Sequence, residues 1–161
     1  MNTSPPRLEP KYVSLLWAGA DRAGEIAALH ATLFDPPWSE DSLRKSLDHP
    51  AATAFIVTLG APKPTAGFIL GQLAADEAEI LSLGVASEWQ RHGLGGRLVE
   101  GLARAVSRAE AKRLHLEVAE DNTAALNLYR KLGFVETGRR KGYYQRKSGG
   151  AADALTLSKT L

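Results

Sequence analysis

The amino-acid sequence predicts a single α/β domain in which a mixed sheet carries helices on both faces. Two observations support this prediction: short apolar runs near the middle of the chain are joined by tight connections, and two later runs flank an amphipathic helix. A tight connection joins antiparallel strands, whereas a strand–helix–strand unit makes its two strands parallel. The chain has 161 residues, 44% hydrophobic and 24% charged, which is an ordinary globular balance.

The element assignments follow from periodicity and from residues that begin or end elements. Ser39 is the expected N-cap of the second helix, and Asp35-Pro36-Pro37 ends the first. We treat residues 1–161 as one domain and expect the polar residues 1–10 to be flexible. We predict strands over residues 12–17, 54–59, 66–73, Glu77–Val85, 113–118, 134–141 and 154–158, a turn at 60–64, and helices over 20–34, after Ser39, over 94–110 and over 122–132.

The composition excludes several kinds of site. Cysteine is absent, so the chain has no disulfide, no thiolate zinc site, no iron–sulfur cluster and no cysteine nucleophile. The histidines lack metal-ligand spacing, so we predict no metal site, with His30 on a helix surface and His49 in a loop. No apolar run approaches the ~18–20 residues of a membrane span, and residues 1–10 do not resemble a signal peptide. We therefore expect a cytoplasmic protein without a membrane partner.

The charge is nearly balanced overall but is unevenly distributed. Twenty basic and eighteen acidic side chains give a net charge of +2, which does not predict direct binding of nucleic acid. Five basic residues and no acidic ones lie between positions 139 and 147. This cluster is either a solvated surface or a contact for a phosphate-bearing cofactor or another anionic partner.

A glycine-rich loop stands between a predicted strand and a predicted helix. Gly93, Gly95 and Gly96 allow successive backbone N–H groups to turn inward, and the helix N-terminus adds about half a positive charge. With Arg91 beside it, the loop suits a phosphate or pyrophosphate. A plain tight turn also selects glycine. A dinucleotide-binding loop is a further alternative, but Leu98 occupies the place of its third glycine.

A carboxylate and a phenol lie on adjacent predicted elements. Glu117 lies in a short apolar strand, where a carboxylate is costly to bury unless it is near a mouth, paired or functional. Tyr129 lies on the inward face of the following helix, whose expected N-cap is Asn122. The structural alternatives are a strand-end ion pair, a core tyrosine and simple capping. Together, Glu117 and Tyr129 form a plausible proton acceptor and donor around a reacting carbonyl.

Two motifs resemble those of the GNAT family of N-acetyltransferases. The loop matches the family's pattern Q/R-x-x-G-x-G/A through Gln90, Gly93 and Gly95. The run Asn-x-x-Ala-x-x-Leu-Tyr-x-x-Leu-Gly-Phe over residues 122–134 resembles a second family motif. The motifs have the family's order and spacing, and the resemblance covers essentially the whole chain. It implies a GNAT-like sheet, mixed but mostly antiparallel, and acetyl-coenzyme A (acetyl-CoA) as the co-substrate.

The resemblance also implies roles for individual residues. Glu117 becomes the general base and Tyr129 the general acid of a direct attack on the thioester within a ternary complex. Gly96 departs from the family pattern, in which arginine is common at this position. The implied acetyl-CoA contacts are Leu83, Gly84, Val85, Arg91, His92, Gly93, Leu94, Gly95, Gly96 and Asn122.

Three further segments resemble the RimI-type subgroup, which acetylates the N-terminal alanine of a small-subunit ribosomal protein. These segments are Pro37-Trp38-Ser39-Glu40, Leu116-Glu117-Val118, and Arg140 to Tyr144 followed by Asp153-Ala154. The implied acceptor is the N-terminus of a ribosomal protein, and Glu117, Glu120 and Asp121 form a candidate surface for a basic peptide. The alternatives are acetylation of other protein N-termini or of a small-molecule amine, and a non-catalytic acyl-CoA-binding module. The sequence does not predict the oligomeric state.

Overall fold

The computed structural model describes residues 12–60 and 64–161. The N-terminal residues 1–10, which we expect to be flexible, and the centre of the predicted turn at 60–64 lie outside these described residues. The strands are β1 (Val13–Trp17), β2 (Ala52–Leu59), β3 (Thr65–Ala74), β4 (Glu77–Val85), β5 (Arg113–Ala119), β6 (Val135–Gln145) and β7 (Ala151–Thr160). The α-helices are α1 (Ala23–Leu33), α2 (Glu40–Asp48), α3 (Leu94–Arg108) and α4 (Thr123–Lys131).

The strands form one sheet in the order β1-β2-β3-β4-β5-β7-β6. Every neighbouring pair is antiparallel except β4 and β5, which are parallel because α3 crosses over between them. The prediction of a mixed, mostly antiparallel sheet is confirmed. Strand β7 inserts between β5 and β6, so β6 and not β7 forms the edge of the sheet.

Helices cover both faces of the sheet, as predicted. On one face, Ile26 of α1 and Leu43 of α2 pack against Ile56 and Phe68. On the other face, α3 and α4 pack over the alternate residues of the same strands, such as Val57. The apolar stripe predicted for α3 is buried in this second layer, and it consists of Leu94, Leu98, Leu102 and Val106.

Strands β4 and β5 separate along their length, and this separation creates a cleft. Their pairing runs from Glu77 opposite Arg113 to Ile80 opposite Leu116 and then stops. At the same point β4 carries one extra residue relative to β3, since Leu70 pairs with Ser82 and Gly71 pairs with Ile80. An extra residue bends a strand and strengthens its twist. The bulge at Leu81 therefore directs the end of β4 away from β5.

The predicted ends of several elements are wrong by a few residues. The segment predicted as one helix over 20–34 is a 3₁₀ turn over Ala20–Arg22 followed by α1. Strand β6 continues to Gln145 and β7 begins at Ala151, so both are longer than predicted. The sequence signal in β6 is weak because it has few apolar residues, and Gly142 has a positive φ of 61°. Pairing with β7 holds it in the sheet.

The side chain of His30 is buried, so its predicted place on a helix surface is wrong. It is 2% exposed and lies on the face of α1 that packs against the sheet. Its ring stacks on Phe34 and Trp38, with centroids 4.3 and 5.1 Å away, and also contacts Phe68. Its Nδ1 accepts the backbone N–H of Trp38 at 3.1 Å. His30 therefore anchors the connection between α1 and α2, whose N-cap is Ser39 as predicted.

Gly84 is a glycine because β4 passes close to α1. A Cβ at this position would lie 2.7 Å from Cε1 of Phe68 and 2.8 Å from Cδ1 of Leu33. Phe68 is fully buried, so its ring has little room to move. A Cβ at Gly96, in contrast, meets no atom of the described chain within 4 Å.

We predict that Gly84→Ala lowers the free energy of unfolding by about 1–3 kcal/mol, because the added methyl group overpacks the core. Thermal and urea unfolding of the ligand-free protein measure the loss. The control is Gly96→Ala, which we expect to be neutral or stabilising by up to ~1 kcal/mol, since alanine favours a helix. Equal stabilities of Gly84→Ala and the original protein contradict the packing argument.

We predict that His30 makes the protein less stable in mild acid. Burial lowers the pKa of its imidazole, so the folded state disfavours the protonated form. The unfolded state takes up that proton near pH ~6.5, and stability is lost as the pH falls below this value. Urea unfolding between pH 7.5 and 5.5 should show a shallower loss for His30→Gln, which can accept a hydrogen bond but does not titrate. Identical pH slopes contradict the prediction.

Candidate active site

The cleft between β4 and β5 is a cavity of about 410 Å³ that opens at the carboxyl ends of these strands. Open α/β sheets bind ligands in this position. Its walls come from β4, β5, α4, the end of α1, the connection between α1 and α2, and the end of β6. The lining residues are His30, Phe34, Asp35, Pro36, Trp38, Ile80, Leu81, Ser82, Leu83, Leu116, Glu117, Val118, Ala119, Asn122, Ala125, Tyr129, Tyr144 and Arg146.

The two residues predicted to handle protons both line this cavity. The Glu117 side chain is 24% exposed, and its Oε2 lies 3.2 Å from Nε of Arg140. Tyr129 is buried, with its ring edge-on to Phe134 at 5.5 Å between centroids. Burial raises the pKa of Tyr129 to about 12, so its hydroxyl keeps its proton at neutral pH. The structure thus brings together a carboxylate with a counter-cation and a protonated phenol.

The glycine loop has an uncapped helix N-terminus. Gly93 is the N-cap of α3, with a left-handed φ of 79°, and no side chain caps the helix. By contrast, the oxygens of Ser39 and Asn122 cap α2 and α4. The N–H groups of the first helical turn have no partner within their own helix. The loop therefore leaves donors for an anion at the start of α3.

The side chains of the loop divide between the core and the surface. Leu94 is buried in the core, so it can offer only its backbone to a ligand. Gly95 lies close to Leu128 of α4, because a Cβ there would be 3.1 Å from that side chain. Arg91 is exposed and has a positive φ of 65°, and Nδ1 of His92 contacts a backbone carbonyl of the same loop.

Strand β4 supplies the other half of a binding surface. Beyond Ile80 its edge has no pairing with β5, so backbone groups on that edge face the cleft. Leu83 lines the cavity, whereas the Cβ direction of Gly84 points toward α1 and not toward a ligand. The side-chain amide of Gln90 donates to the carbonyl of Val85 at 2.9 Å, which ties the glycine loop to the end of β4. These features fit a long co-substrate with a pyrophosphate, such as acetyl-CoA.

The basic cluster at 139–147 is paired largely with carboxylates of the same chain. Arg139 contacts Glu120 and Asp153 at 2.8 and 2.7 Å, and Arg146 forms two hydrogen bonds to Asp121. The pKa of the Asp153 carboxyl is lowered, first by the backbone N–H of Gly142 and then by Arg139.

These contacts change two predictions, the anion contact suggested for the basic cluster and the peptide surface suggested for three acidic residues. Lys147 contacts Asp35 at 2.8 Å, and Arg140 pairs with Glu117, so four of the five basic residues form internal ion pairs. Phosphate binding is not needed to explain the cluster. The residues suggested as a surface for a basic peptide each already pair with an arginine of the basic cluster, and they are Glu117, Glu120 and Asp121.

Sequence reasoning missed several residues of the cavity wall. His30 of α1 and Phe34, the C-cap of that helix, lie one helical turn apart, a spacing that places them on one face. The sequence shows this spacing, but a lone histidine on a helix does not by itself indicate an active-site residue. Tyr144 and Arg146 reach the cavity because β6 extends further than its sequence pattern indicates.

The described residues contain neither a candidate metal site nor a helix that could cross a membrane. Between 12 and 60 and between 64 and 161, no group of three or more histidine or acidic side chains could hold a metal ion. Over the same ranges, none of the helices combines the length and apolar character needed to cross a membrane.

Comparison with known proteins identifies relatives over most of the chain. Residues 23–134 match the sequence model of the acetyltransferase (GNAT) family. The [ribosomal protein bS18]-alanine N-acetyltransferase of Escherichia coli K12 is 32% identical over 122 residues, which are 76% of this chain and 80% of that protein. The N-alpha-acetyltransferase RimI of Mycobacterium tuberculosis is 36% identical over 139 residues, 84% of each chain.

A solved structure agrees with the sequence relatives. The crystal structure of the ribosomal-protein-S18-alanine N-acetyltransferase from Escherichia coli superposes with a TM-score of 0.82 and 27% identity. The match covers 92% of this chain and 93% of that one. The predicted fold is confirmed, and the dinucleotide-binding and non-catalytic alternatives are set aside. The chain belongs to the GNAT family of acetyltransferases and is an acetyl-CoA-dependent N-acetyltransferase.

Proposed function

We propose that this enzyme acetylates the N-terminal α-amine of a protein, and that its acceptor is the N-terminal alanine of the small-subunit ribosomal protein bS18. The Escherichia coli relative is named for acetylation of the alanine of bS18, which supports this acceptor. The Mycobacterium tuberculosis relative is named as an N-alpha-acetyltransferase, which supports an α-amine as the group acetylated. The observation that carries the chemistry is the shared position of Glu117 and Tyr129 on the walls of one open cleft. We place this reaction in the cytoplasm and assign it to a single domain over residues 1–161.

In the proposed mechanism, Glu117 receives a proton from the acceptor. A free α-amine has a pKa of roughly 7.7–8.0, so much of it is protonated and cannot attack at neutral pH. The Glu117 carboxylate takes this proton, directly or through a water molecule. The neutral nitrogen then forms a bond to the acetyl carbonyl carbon, and the bond from that carbon to sulfur breaks. Tyr129 donates its hydroxyl proton to the departing thiolate, and its phenolate regains a proton from the nitrogen, which loses its second hydrogen as the amide forms.

The remaining proposed site residues position acetyl-CoA. The open edge of β4 at Leu83, Gly84 and Val85 offers backbone groups that align the acetyl group and polarise its carbonyl. Asn122 uses its side-chain oxygen to cap α4, which leaves its amide N–H₂ for a contact with the co-substrate. The pyrophosphate site consists of Arg91, His92, Gly93, Leu94, Gly95 and Gly96.

The absence of cysteine constrains the order of steps. Because the chain has no cysteine, the acetyl group cannot pass through an enzyme thioester. Direct transfer requires both substrates in the cleft together. The cavity is only partly enclosed, and its lining includes Trp38 of the α1–α2 connection and Tyr144 of β6. A partly enclosed cleft favours a protein N-terminus over a small amine enclosed in a pocket.

We predict that Tyr129→Phe lowers kcat by about 10²–10⁴-fold, because the leaving thiolate loses its proton donor. The phenyl ring preserves packing against Phe134, so affinity for acetyl-CoA should stay nearly unchanged. Steady-state kinetics and calorimetric titration measure the two quantities. Tyr12→Phe is the control, since it removes a hydroxyl beside edge strand β1, three strands from β4. A normal turnover rate in Tyr129→Phe overturns the acid assignment.

We predict that acetyl transfer from the enzyme goes to peptide α-amines, with alanine preferred at the first position. A peptide library varied at the first three positions, with products located by mass spectrometry, measures this preference. Peptides of the same sequence with a blocked N-terminus are the control and should gain no acetyl group. Acetylation confined to lysine side chains or to small amines contradicts the proposed function.

A further inference from the structure

We propose that Arg140 pairs with the proposed base, Glu117, in the free enzyme and occupies the position that the acceptor's ammonium group takes. When the acceptor binds, its ammonium group displaces the Arg140 side chain. This inference rests on the proposed function, in which Glu117 receives the amine. Its starting point is the contact between Nε of Arg140 and Oε2 of Glu117, 3.2 Å apart at the wall of the cleft.

Arg140 is the least firmly held of the three arginines of the basic cluster at 139–147 that pair with acidic residues. Arg139 donates hydrogen bonds to three carboxylates, and Arg146 donates two to one carboxylate. The Arg140 guanidinium forms no hydrogen bond within residues 12–60 and 64–161, and its side chain is 63% exposed. The side chains of Arg139 and Arg146 are 40% and 36% exposed. An exposed ion pair of this kind is weak and can be exchanged.

The backbone around Arg140 is fixed even though its side chain is loosely held. Arg140 pairs with Ala154 and Tyr144 pairs with Ala152, so β6 has two more residues than β7 between these positions. The bulge is anchored by the N–H of Gly142, which donates to Oδ1 of Asp153 at 2.8 Å. A change of partner at Glu117 therefore requires movement of the side chain only.

A second contact, with the ring of Tyr143, stabilises the guanidinium after it leaves Glu117. The guanidinium carbon of Arg140 lies 5.1 Å from the centroid of the Tyr143 ring, and that ring is half-exposed. Arginine over an aromatic face is stabilised by the ring's negative face. When Glu117 binds another cation, Arg140 keeps this contact and gives up only a poorly aligned ion pair.

The N-terminal ammonium group of the acceptor is a cation that can replace Arg140 beside Glu117. An N-terminal ammonium group is compact and presents three donors, whereas Arg140 approaches Glu117 with one misaligned N–H. Two cations beside one carboxylate repel each other, so the ammonium and the guanidinium compete for Glu117. The free enzyme thus keeps the charge of Glu117 paired, and an acceptor must be cationic to replace the pair.

The test compares Arg140→Gln with Arg140→Lys and with Lys141→Gln. The measurement is the Kd of an alanine-initiated peptide for the enzyme saturated with coenzyme A, together with KM and kcat. We expect Arg140→Gln to bind the peptide about two- to fivefold more tightly and to lower its KM, the size expected for release of an exposed ion pair. Arg140→Lys retains the charge and should stay near the original values. Lys141→Gln removes a neighbouring charge that forms no ion pair in the described chain and should change neither value.

The same peptide titration in a Glu117→Gln background tests whether the effect passes through Glu117. There we expect Arg140→Gln to leave the peptide Kd unchanged, because the contact that it releases is already lost. Weaker peptide binding by Arg140→Gln, or an equal gain in both backgrounds, overturns the inference. If the original enzyme acetylates peptides but Arg140→Gln changes nothing, only this inference fails. If the original enzyme neither binds nor acetylates peptides, the proposed function fails and the inference fails with it.

Discussion

The separation of β4 from β5 is the constraint on which the rest of the site depends. A parallel pair joined by a crossover helix is usually buried on both faces and hydrogen-bonded along its whole length. Here the pairing ends at Ile80 and Leu116, and a bulge at Leu81 turns β4 away. The sheet gives up several ladder hydrogen bonds and gains a cleft whose walls are strand edges. Glu117 lies one residue beyond the last pair, at the point where the cleft opens.

Internal charge pairing explains most of the basic segment of the chain. Sequence alone shows five cations within nine residues, which is a pattern that often indicates an anionic partner. In the folded chain Glu120, Asp121 and Asp153 lie beside this segment and pair with two of its arginines. The pairs at Glu120 and Asp121 join β6 and the residue after it to the loop between β5 and α4, where Asn122 begins the helix that carries Tyr129. The ion pairs of the basic cluster therefore stabilise the structure at the edge of the cleft.

The sequence predicted the elements whose patterns are local and regular. The stripe of α3, the caps at Ser39 and Asn122, and the glycine loop all depend on residues close together in the chain. His30 is different, because its burial depends on Phe68, which is 38 positions away. The full length of β6 also depends on a distant partner, β7. The motifs located both proposed proton-handling residues, but the counter-cation of Glu117 comes from another strand and has no local signal.

The burial of Tyr129 sets the conditions for the last proposed proton transfer. Burial raises the pKa of its phenol to about 12, whereas an ordinary thiol titrates near ~8.5. With those two values, transfer from the phenol to a thiolate is uphill. The thiolate, however, forms in the same cleft, where loss of water also raises the pKa of a thiol. Loss of water therefore disfavours both the Tyr129 phenolate and the thiolate. The difference between the pKa values of the phenol and the thiol in the cleft decides the direction of proton transfer.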